Sequence, residues 1–286
     1  MTAVGARRIF LVTGGSSGIG KAASAELARH GATVVLLGHD PDKLDAAVEE
    51  IRRETGNPAV DPLLCDLASL DAVRAAAKEF DSRYGALHVL VNNAGASPTE
   101  RMETPDGLEY TFVVNYLSHF LLTNLLTDLL VANAPTRVVN ISTVLHRVGR
   151  IDFDDLQSRR FNRTRAYSQA KLAMVLFTYE LADRLRGARV TVNCLHPGIT
   201  PGTGVGSGGP AVFHKPWALD IQARLMSTLA ESSARVVQLA TAPSLENVTG
   251  QYFNKGRPKL SSRRSLDRDL GRQLWARSEE LTGLTY

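Results

Sequence analysis

The sequence predicts an α/β fold, a doubly wound parallel sheet within a single domain. Three observations predict it. Short apolar runs recur along the chain without the in–out alternation of a half-exposed strand, as in Ile9 to Val12, Thr33 to Leu37 and Leu87 to Val91. Such runs suit strands covered on both faces. Helix-like stretches separate them, and repeated β–α alternation builds a parallel sheet with right-handed crossovers. A glycine-rich segment, Thr13-Gly14-Gly15-Ser16-Ser17-Gly18-Ile19-Gly20, directly follows the first run.

The elements follow in order. After Ile9 to Val12 comes a helix from about Ser17 to His30, with Gly31 at its C-terminal cap. Thr33 to Leu37 is the second strand. Asp40-Pro41 supplies an N-cap and an N1 proline for a helix to about Glu54. Ala59 to Leu64 is a third strand, and Ser69 caps the helix after it. Leu87 to Val91 is the fourth strand, and one long helix is expected from Leu108 to Val131. Arg137 to Ile141 is the fifth strand, and the helix carrying Tyr167 runs to about Leu185. Arg189 to Leu195 is the sixth. A Gly/Pro-rich stretch from Pro197 to Pro216 then breaks the rhythm and reads as a mobile loop, about 198–217, inside the one domain. A helix from Ser232 to Thr241, an edge strand at Gln251 to Phe253 and an amphipathic helix from Ser265 to Leu281 complete the chain.

Bulk properties exclude several classes. The 286 residues are 44% hydrophobic and 22% charged, an ordinary globular balance. The net charge of +4 is mild. Its basic clusters, Arg159 to Arg165 and Lys255 to Arg264, read as solvated surface rather than a nucleic-acid site. Two cysteines, Cys65 and Cys194, make no disulfide framework and point to a reducing compartment. No apolar run reaches the roughly 18 residues that span a bilayer, so no membrane partner is expected and the chain reads as cytoplasmic. No metal-ligand spacing stands out.

The glycine turn is built to hold a phosphate. Backbone N–H groups and the helix dipole point at an anion, and small residues let it approach. The spacing Gly14-x-x-x-Gly18-x-Gly20 differs from the G-x-G-x-x-G fingerprint. Far downstream, Tyr167 and Lys171 stand four residues apart and so share one helical face. A free phenol titrates near pH 10. A neighbouring ammonium favours the phenolate and would lower that value, fitting the pair for proton exchange.

With these residues in view, Thr13 to Gly20 resembles the T-G-x-x-x-G-x-G segment of the short-chain dehydrogenase/reductase superfamily, whose sheet is of the Rossmann type. Asp66-Leu67, Asn92-Asn93-Ala94-Gly95, Asn115, Tyr167 with Lys171, and Pro197-Gly198 follow in the family's order. The likeness covers nearly the whole chain. Leu195-His196-Pro197-Gly198, Gly250 to Phe253 and Leu274-Trp275 make it most similar to the retinol-dehydrogenase-like group.

The resemblance implies a carbonyl–alcohol oxidoreductase using a nicotinamide dinucleotide. It implies cofactor contacts from Thr13, Gly14, Ser16, Ser17, Gly18, Ile19 and Gly20, and from Asp66, Leu67, Asn93, Ala94, Gly95, Pro197 and Gly198. Asp66 would touch the adenine and Asn93 would shape the groove; as a bare residue, Asp66 also suits a turn before Ser69. Tyr167 would be the acid/base, Lys171 would tune it and hold the nicotinamide ribose, and Asn115 would support a proton relay. Family members place a serine after the fifth strand to orient the reacting oxygen. Here the segment is Ile141-Ser142-Thr143, and alignment on the second position gives the role to Thr143, with Ser142 as the alternative if the strand end shifts by one residue.

Cofactor choice turns on the end of the second strand, where an acid would bind the ribose hydroxyls of NAD. Gly38 and His39 stand there instead, which favours NADP(H) over NAD(H), although Asp40 remains within two residues. The expected partner is a small carbonyl or alcohol, and a homodimer or homotetramer is implied by the resemblance. Phe213 and Trp217 are candidates for an apolar pocket. Arg147, Arg150, Arg159, Arg160, Arg163 and Arg165 read as solvent-facing, and His146 and His196 as core or loop histidines. A non-redox epimerase or dehydratase on the same fold, or a catalytically silent nucleotide-binding regulator, are the competing readings.

Overall fold

Alternate residues of each central strand face opposite sides of one sheet, and both sides are dry. Phe10 and Val12 of β1 (Ile9–Thr13) and Val34 and Leu36 of β2 (Thr33–Gly38) enter one apolar layer, while Leu11, Val35 and Leu37 enter the other. This is why the runs are continuously apolar. The structure, a computed structural model, describes residues 8–198 and 227–284. Beyond Gly198, the expected mobile loop lies outside the described residues, as do Phe213 and Trp217.

Among the described residues the sheet has eight strands in the order β3-β2-β1-β4-β5-β6-β7-β8. The others are β3 (Val60–Leu64), β4 (Val89–Asn92), β5 (Thr136–Ile141), β6 (Val190–His196), β7 (Gln251–Asn254) and β8 (Arg257–Pro258). β1 to β7 are parallel, and β8 pairs antiparallel with β7. The chain passes from the β3 edge back to β4 beside β1, so the order reverses between β1 and β4. A crevice opens there at the carboxyl ends of the strands.

One face carries α1 (Gly18–Arg29), α2 (Pro41–Thr55) and α8 (Leu229–Thr241). Caps expected from the sequence are present: the Asp40 carboxylate accepts the Lys43 N–H at 3.1 Å, and the Ser69 hydroxyl accepts the Ala72 N–H at 3.2 Å. The other face carries α3 (Leu70–Tyr84), α4 (Tyr110–Phe112), α5 (Ser118–Leu125), α7 (Arg163–Arg184) and α9 (Arg268–Thr282), with the short α6 (Thr127–Ala132) after α5. Phe120, Phe177 and Trp275 lock α9 onto α5 and α7, with ring centroids 4.9 to 5.8 Å apart. Each such pair contributes about 1 kcal/mol beyond its buried area. Cys65 and Cys194 are buried free thiols pushed up to about 12 by burial, hence inert.

Two expectations are corrected. The helix expected over Leu108 to Val131 is interrupted. Between α4 and α5 lies one wide π-helical turn, Val113–Leu117, and the helix breaks again at Leu126. The Asn115 side-chain amide donates to the Thr111 carbonyl at 2.8 Å. That carbonyl is also the acceptor an α-helix would give to the Asn115 N–H, so the side chain competes with the ladder at the wide turn. Likewise the strand at Gln251 to Phe253 is internal. The two residues of β8 cover it, and Arg257 and Pro258 blunt the new edge.

Candidate active site

The crevice begins at Thr13, the last residue of β1. Its buried hydroxyl oxygen accepts the N–H groups of Asn93 at 2.8 Å and Ala94 at 3.0 Å. The Asn93 side-chain amide returns a bond to the Thr13 carbonyl at 2.8 Å. The ends of β1 and β4 are thus tied into one wall. Gly14 leaves Thr13 with φ +65°, a conformation that favours glycine. At Gly20 a Cβ would lie 2.3 Å from the Gly14 carbonyl and 2.5 Å from the Asn93 amide. Only a hydrogen fits, so the start of α1 lies directly under the turn. Ser17 is the N-cap of α1, exposed and with no side-chain cap bond. The first N–H groups of a twelve-residue helix therefore face outward beside Ser16 and Gly18. Ile19 anchors this turn by packing on the layer beneath α1.

At the end of β2, His39 is exposed. Asp40 is spent locally: one carboxylate oxygen caps α2 and the other pairs with the Lys43 ammonium at 2.8 Å, which holds its carboxyl below the usual range. Asp66 is exposed and closes its own turn by accepting the Ala68 N–H at 2.9 Å. Leu67 is buried, and its carbonyl accepts the Ser118 hydroxyl.

The chemical half of the crevice is assembled by α7. Tyr167 is half-buried, and the Lys171 Nζ lies 5.7 Å from the centre of its ring. The Lys171 ammonium is buried and donates to the Ile141 carbonyl at 3.1 Å, at the end of β5. Two of its three N–H bonds remain for other acceptors. Gly95 brings the β4 loop close: a Cβ there would stand 3.4 Å from Nζ and 2.7 Å from the Asn115 Oδ1. Asn115 occupies the π-helical turn and donates to the Ala96 carbonyl at 2.7 Å as well as to Thr111. Its Oδ1 is buried without a protein partner. Lys171, Asn115 and Gly95 therefore converge.

Burial sets the electrostatics of the pair in the protein alone. Burial pushes the Tyr167 phenol up, not down, and pulls Lys171 down to about 8. The ammonium stands over the ring rather than on the hydroxyl, so desolvation dominates.

Ser142 and Thr143 separate cleanly. The Ser142 hydroxyl is buried and donates to the Lys171 backbone carbonyl at 2.9 Å, so the alternative catalytic reading of Ser142 is corrected: it fastens β5 to α7. Thr143 is half-buried, and its hydroxyl oxygen accepts only a long 3.5 Å bond from the Leu145 N–H, leaving its proton free. At the end of β6, the Arg235 guanidinium donates to the Pro197 carbonyl and to the Ser227 hydroxyl at 2.8 Å, fixing the corner before Gly198.

Two histidines gain definite structural roles. His146 accepts the Ser262 N–H at Nε2, so Nδ1 carries the proton and donates to the Thr143 carbonyl at 2.6 Å. His119 was visible in the sequence only as an interruption of an apolar run. It is buried, with Nε2 3.0 Å from the Thr13 hydroxyl, and burial with the Lys171 ammonium pulls it down to about 3. The Thr13 oxygen already accepts two N–H groups, so its own proton is the one it shares with Nε2 of the neutral ring. The place of His119 one turn after Asn115, on the same helical face, was the available signal.

A dinucleotide fits these residues. The close glycine turn, the uncapped start of α1 and the unpartnered Asn115 oxygen are all features that a bound polar ligand would complete.

Comparison with known proteins agrees. Residues 8–207 match the family model of the short chain dehydrogenases. Human retinol dehydrogenase 13 is 42% identical over 282 residues, covering 97% of this chain and 85% of that protein. Human polyprenol dehydrogenase is 38% identical over 289 residues, covering 97% and 86%. Among solved structures, an uncharacterised protein from Mycobacterium paratuberculosis matches with a TM-score of 0.76 and 32% identity, over 98% of this chain and 94% of that one. A short chain dehydrogenase from Shigella flexneri, complexed with NADP, matches with a TM-score of 0.69 and 27% identity, over 87% and 97%. On fold, motifs and relatives together, the chain belongs to the short-chain dehydrogenase/reductase family, in its retinol-dehydrogenase-like group, and is an NAD(P)-dependent oxidoreductase.

Proposed function

We propose that this protein interconverts an apolar alcohol and its carbonyl compound with NADP(H) in preference to NAD(H), using Tyr167 as the proton donor and acceptor. The observation that carries the reading is the convergence of Tyr167, Lys171 and Asn115 on the end of β5, beside the β1–β4 crevice. Ser16, Ser17, Gly18 and the start of α1 hold the phosphates. Asn93, Ala94 and Gly95 form the wall beneath the ribose and nicotinamide, and Pro197 and Gly198 close the far side. When bound, the nicotinamide supplies or accepts a hydride at the substrate carbon.

The chain's own residues manage the proton. In reduction the neutral phenol of Tyr167 donates to the carbonyl oxygen as charge develops on it. Thr143 donates a hydrogen bond to the same oxygen from the end of β5 and fixes its position. The buried Lys171 ammonium stabilises the phenolate left behind, worth more in a dry site than in water. Asn115 orders the neighbouring polar groups through which the proton returns. In oxidation the same groups act in reverse, with the ammonium favouring the phenolate that takes the alcohol proton.

Three features support NADP(H). No acid ends β2, Asp40 is consumed by Lys43, and a structural neighbour was solved with NADP. The names of the relatives point to long apolar alcohols as the substrate class. The test is reduction of all-trans-retinal and a panel of ketones and aldehydes with NADPH, followed by loss of absorbance of the reduced nicotinamide. Tyr167→Phe should lower turnover about 10³-fold while NADPH still raises the unfolding temperature. Full turnover in that variant rejects the assignment, and tight NADPH binding without turnover on any substrate favours a regulator.

A further inference from the structure

The turn that carries Thr143 is held by a distant part of the chain. After Thr143 the backbone makes one tight helical turn, Val144–Arg147, and reaches Gly149. A Cβ at Gly149 would lie 2.3 Å from the Ser168 carbonyl, so the turn rests directly on α7 beside Tyr167. Residues 260–264 tie it from the other side. Arg147 donates to the Leu260 carbonyl, Arg264 donates to the Gly149 carbonyl at 3.0 Å, and the Ser262 N–H donates to His146 Nε2 at 3.2 Å. This second segment is itself fixed. Ser261, Ser262 and Ser265 are buried, and the Ser265 hydroxyl oxygen lies 2.7 Å from both the Ser261 hydroxyl and the Ser262 carbonyl. The Tyr179 hydroxyl, on α7, donates to Ser261 at 2.8 Å.

His146 joins the two segments. Its ring is buried, with its centroid 4.7 Å from that of Tyr252 on β7. Because Nε2 accepts from Ser262, the proton sits on Nδ1, which donates to the Thr143 carbonyl at 2.6 Å. Burial pulls the ring below the usual imidazole range, which keeps it neutral and preserves that tautomer. The Thr143 hydroxyl, by contrast, has only its 3.5 Å contact with the Leu145 N–H. Its place is therefore set by the backbone beneath it. We infer that the 260–265 segment, acting through the His146 Nδ1–H, positions Thr143 for the reacting oxygen. His146 is thus a positioning residue, and the inference rests on the role given to Thr143 above. Local sequence cannot register the link, because His146 and Ser262 lie 116 residues apart.

The test compares two amides in the full chain. His146→Asn places a donor where Nδ1 stands and loses the acceptor for Ser262. His146→Gln reaches the Nε2 position and loses the donor to Thr143. With all-trans-retinal and NADPH, His146→Gln should lower kcat about tenfold, as misplacement of a reacting group does. The KM for NADPH should change less than about twofold. His146→Asn should stay within about threefold of the parent kcat. In a Thr143→Ala background, His146→Gln should lower kcat by less than about twofold more, because its route to the substrate is gone. Without cofactor or substrate, backbone hydrogen exchange over residues 143–149 should be faster in His146→Gln than in His146→Asn. Arg264→Ala removes a second tie from an exposed position. It carries the same kinetic comparison if a His146 variant does not fold, with a loss of about threefold that vanishes beside Thr143→Ala. The inference is overturned if the two amides lose equal turnover, if losses multiply in the double variants, or if exchange is alike in both amides. Full turnover in Thr143→Ala alone would defeat instead the reading of Thr143, and the inference with it.

Discussion

The two halves of the crevice are built on different principles. The nucleotide half, from the glycine turn to the end of β2, is shaped by main chain and by missing side chains: Gly14 turns, Gly20 admits the start of α1, and no acid ends β2. The chemical half, from β5 to α7, is shaped by buried side chains whose partners come from elsewhere in the chain. Lys171 reaches Ile141, Ser142 reaches the Lys171 carbonyl, and Asn115 meets the Gly95 loop. A backbone site tolerates no added atom, whereas a side-chain site depends on which hydroxyl or amine is already engaged.

Mutations should expose this contrast. The largest effect is expected in the chemical half. Thr143→Ala should lower turnover on the order of 10²- to 10³-fold, as for loss of one oxyanion donor, with stability little changed. Ser142→Ala should instead cost about 1 kcal/mol of stability for the lost bond, with turnover within a few-fold. Steady-state kinetics beside urea unfolding separates the two, and equal kinetic losses would erase the distinction drawn between neighbours.

In the nucleotide half, Gly20→Ala should cost on the order of 1–3 kcal/mol through overpacking against the Gly14 carbonyl, and should abolish the stabilisation that NADPH confers. Normal NADPH binding by that variant would mean the turn is not the phosphate site.

The pH response comes next. Burial holds His119 near 3 and His196 near 4, both below an ordinary imidazole. The unfolded chain therefore binds protons below about pH 6.5 that the native chain refuses. Stability is full above that pH and falls as pH drops toward 4. Each imidazole should account for about 2 kcal/mol lost by about pH 5. Urea unfolding at about pH 7.5 and pH 5 measures the loss, and His196→Asn should reduce it. A pH-independent midpoint would show that these rings are charged or solvated.

The smallest change tests cofactor choice. His39→Arg adds a guanidinium fork at the β2 end and should tighten NADPH by about tenfold relative to NADH, read by thermal shift. Equal gains for both would place His39 away from the phosphate.

Much of this was legible in the sequence because it is local. Strand runs, the Asp40 and Ser69 caps, the glycine spacing and the Tyr167–Lys171 pair each follow from residues within a few positions of one another, where periodicity and turn chemistry act. The same locality explains the misreadings. The interruption at Asn115 needed the knowledge that its amide would take the Thr111 carbonyl, and β7 looked like an edge until β8 folded back over it. Neighbouring hydroxyls at Ser142 and Thr143 are chemically alike, and only the carbonyl of Lys171, 29 residues on, tells them apart. The phenol of Tyr167 is expected to be acidified by its ammonium neighbour and a positive nicotinamide ring together; the protein alone places that ammonium over the ring and pushes the phenol up by burial. The sequence by itself determined the doubly wound sheet and the place of its crevice, because those rest on periodicity and small-residue spacing. Only the tertiary structure decided which polar groups are already bonded and which remain free to act, since that depends on partners brought together by folding.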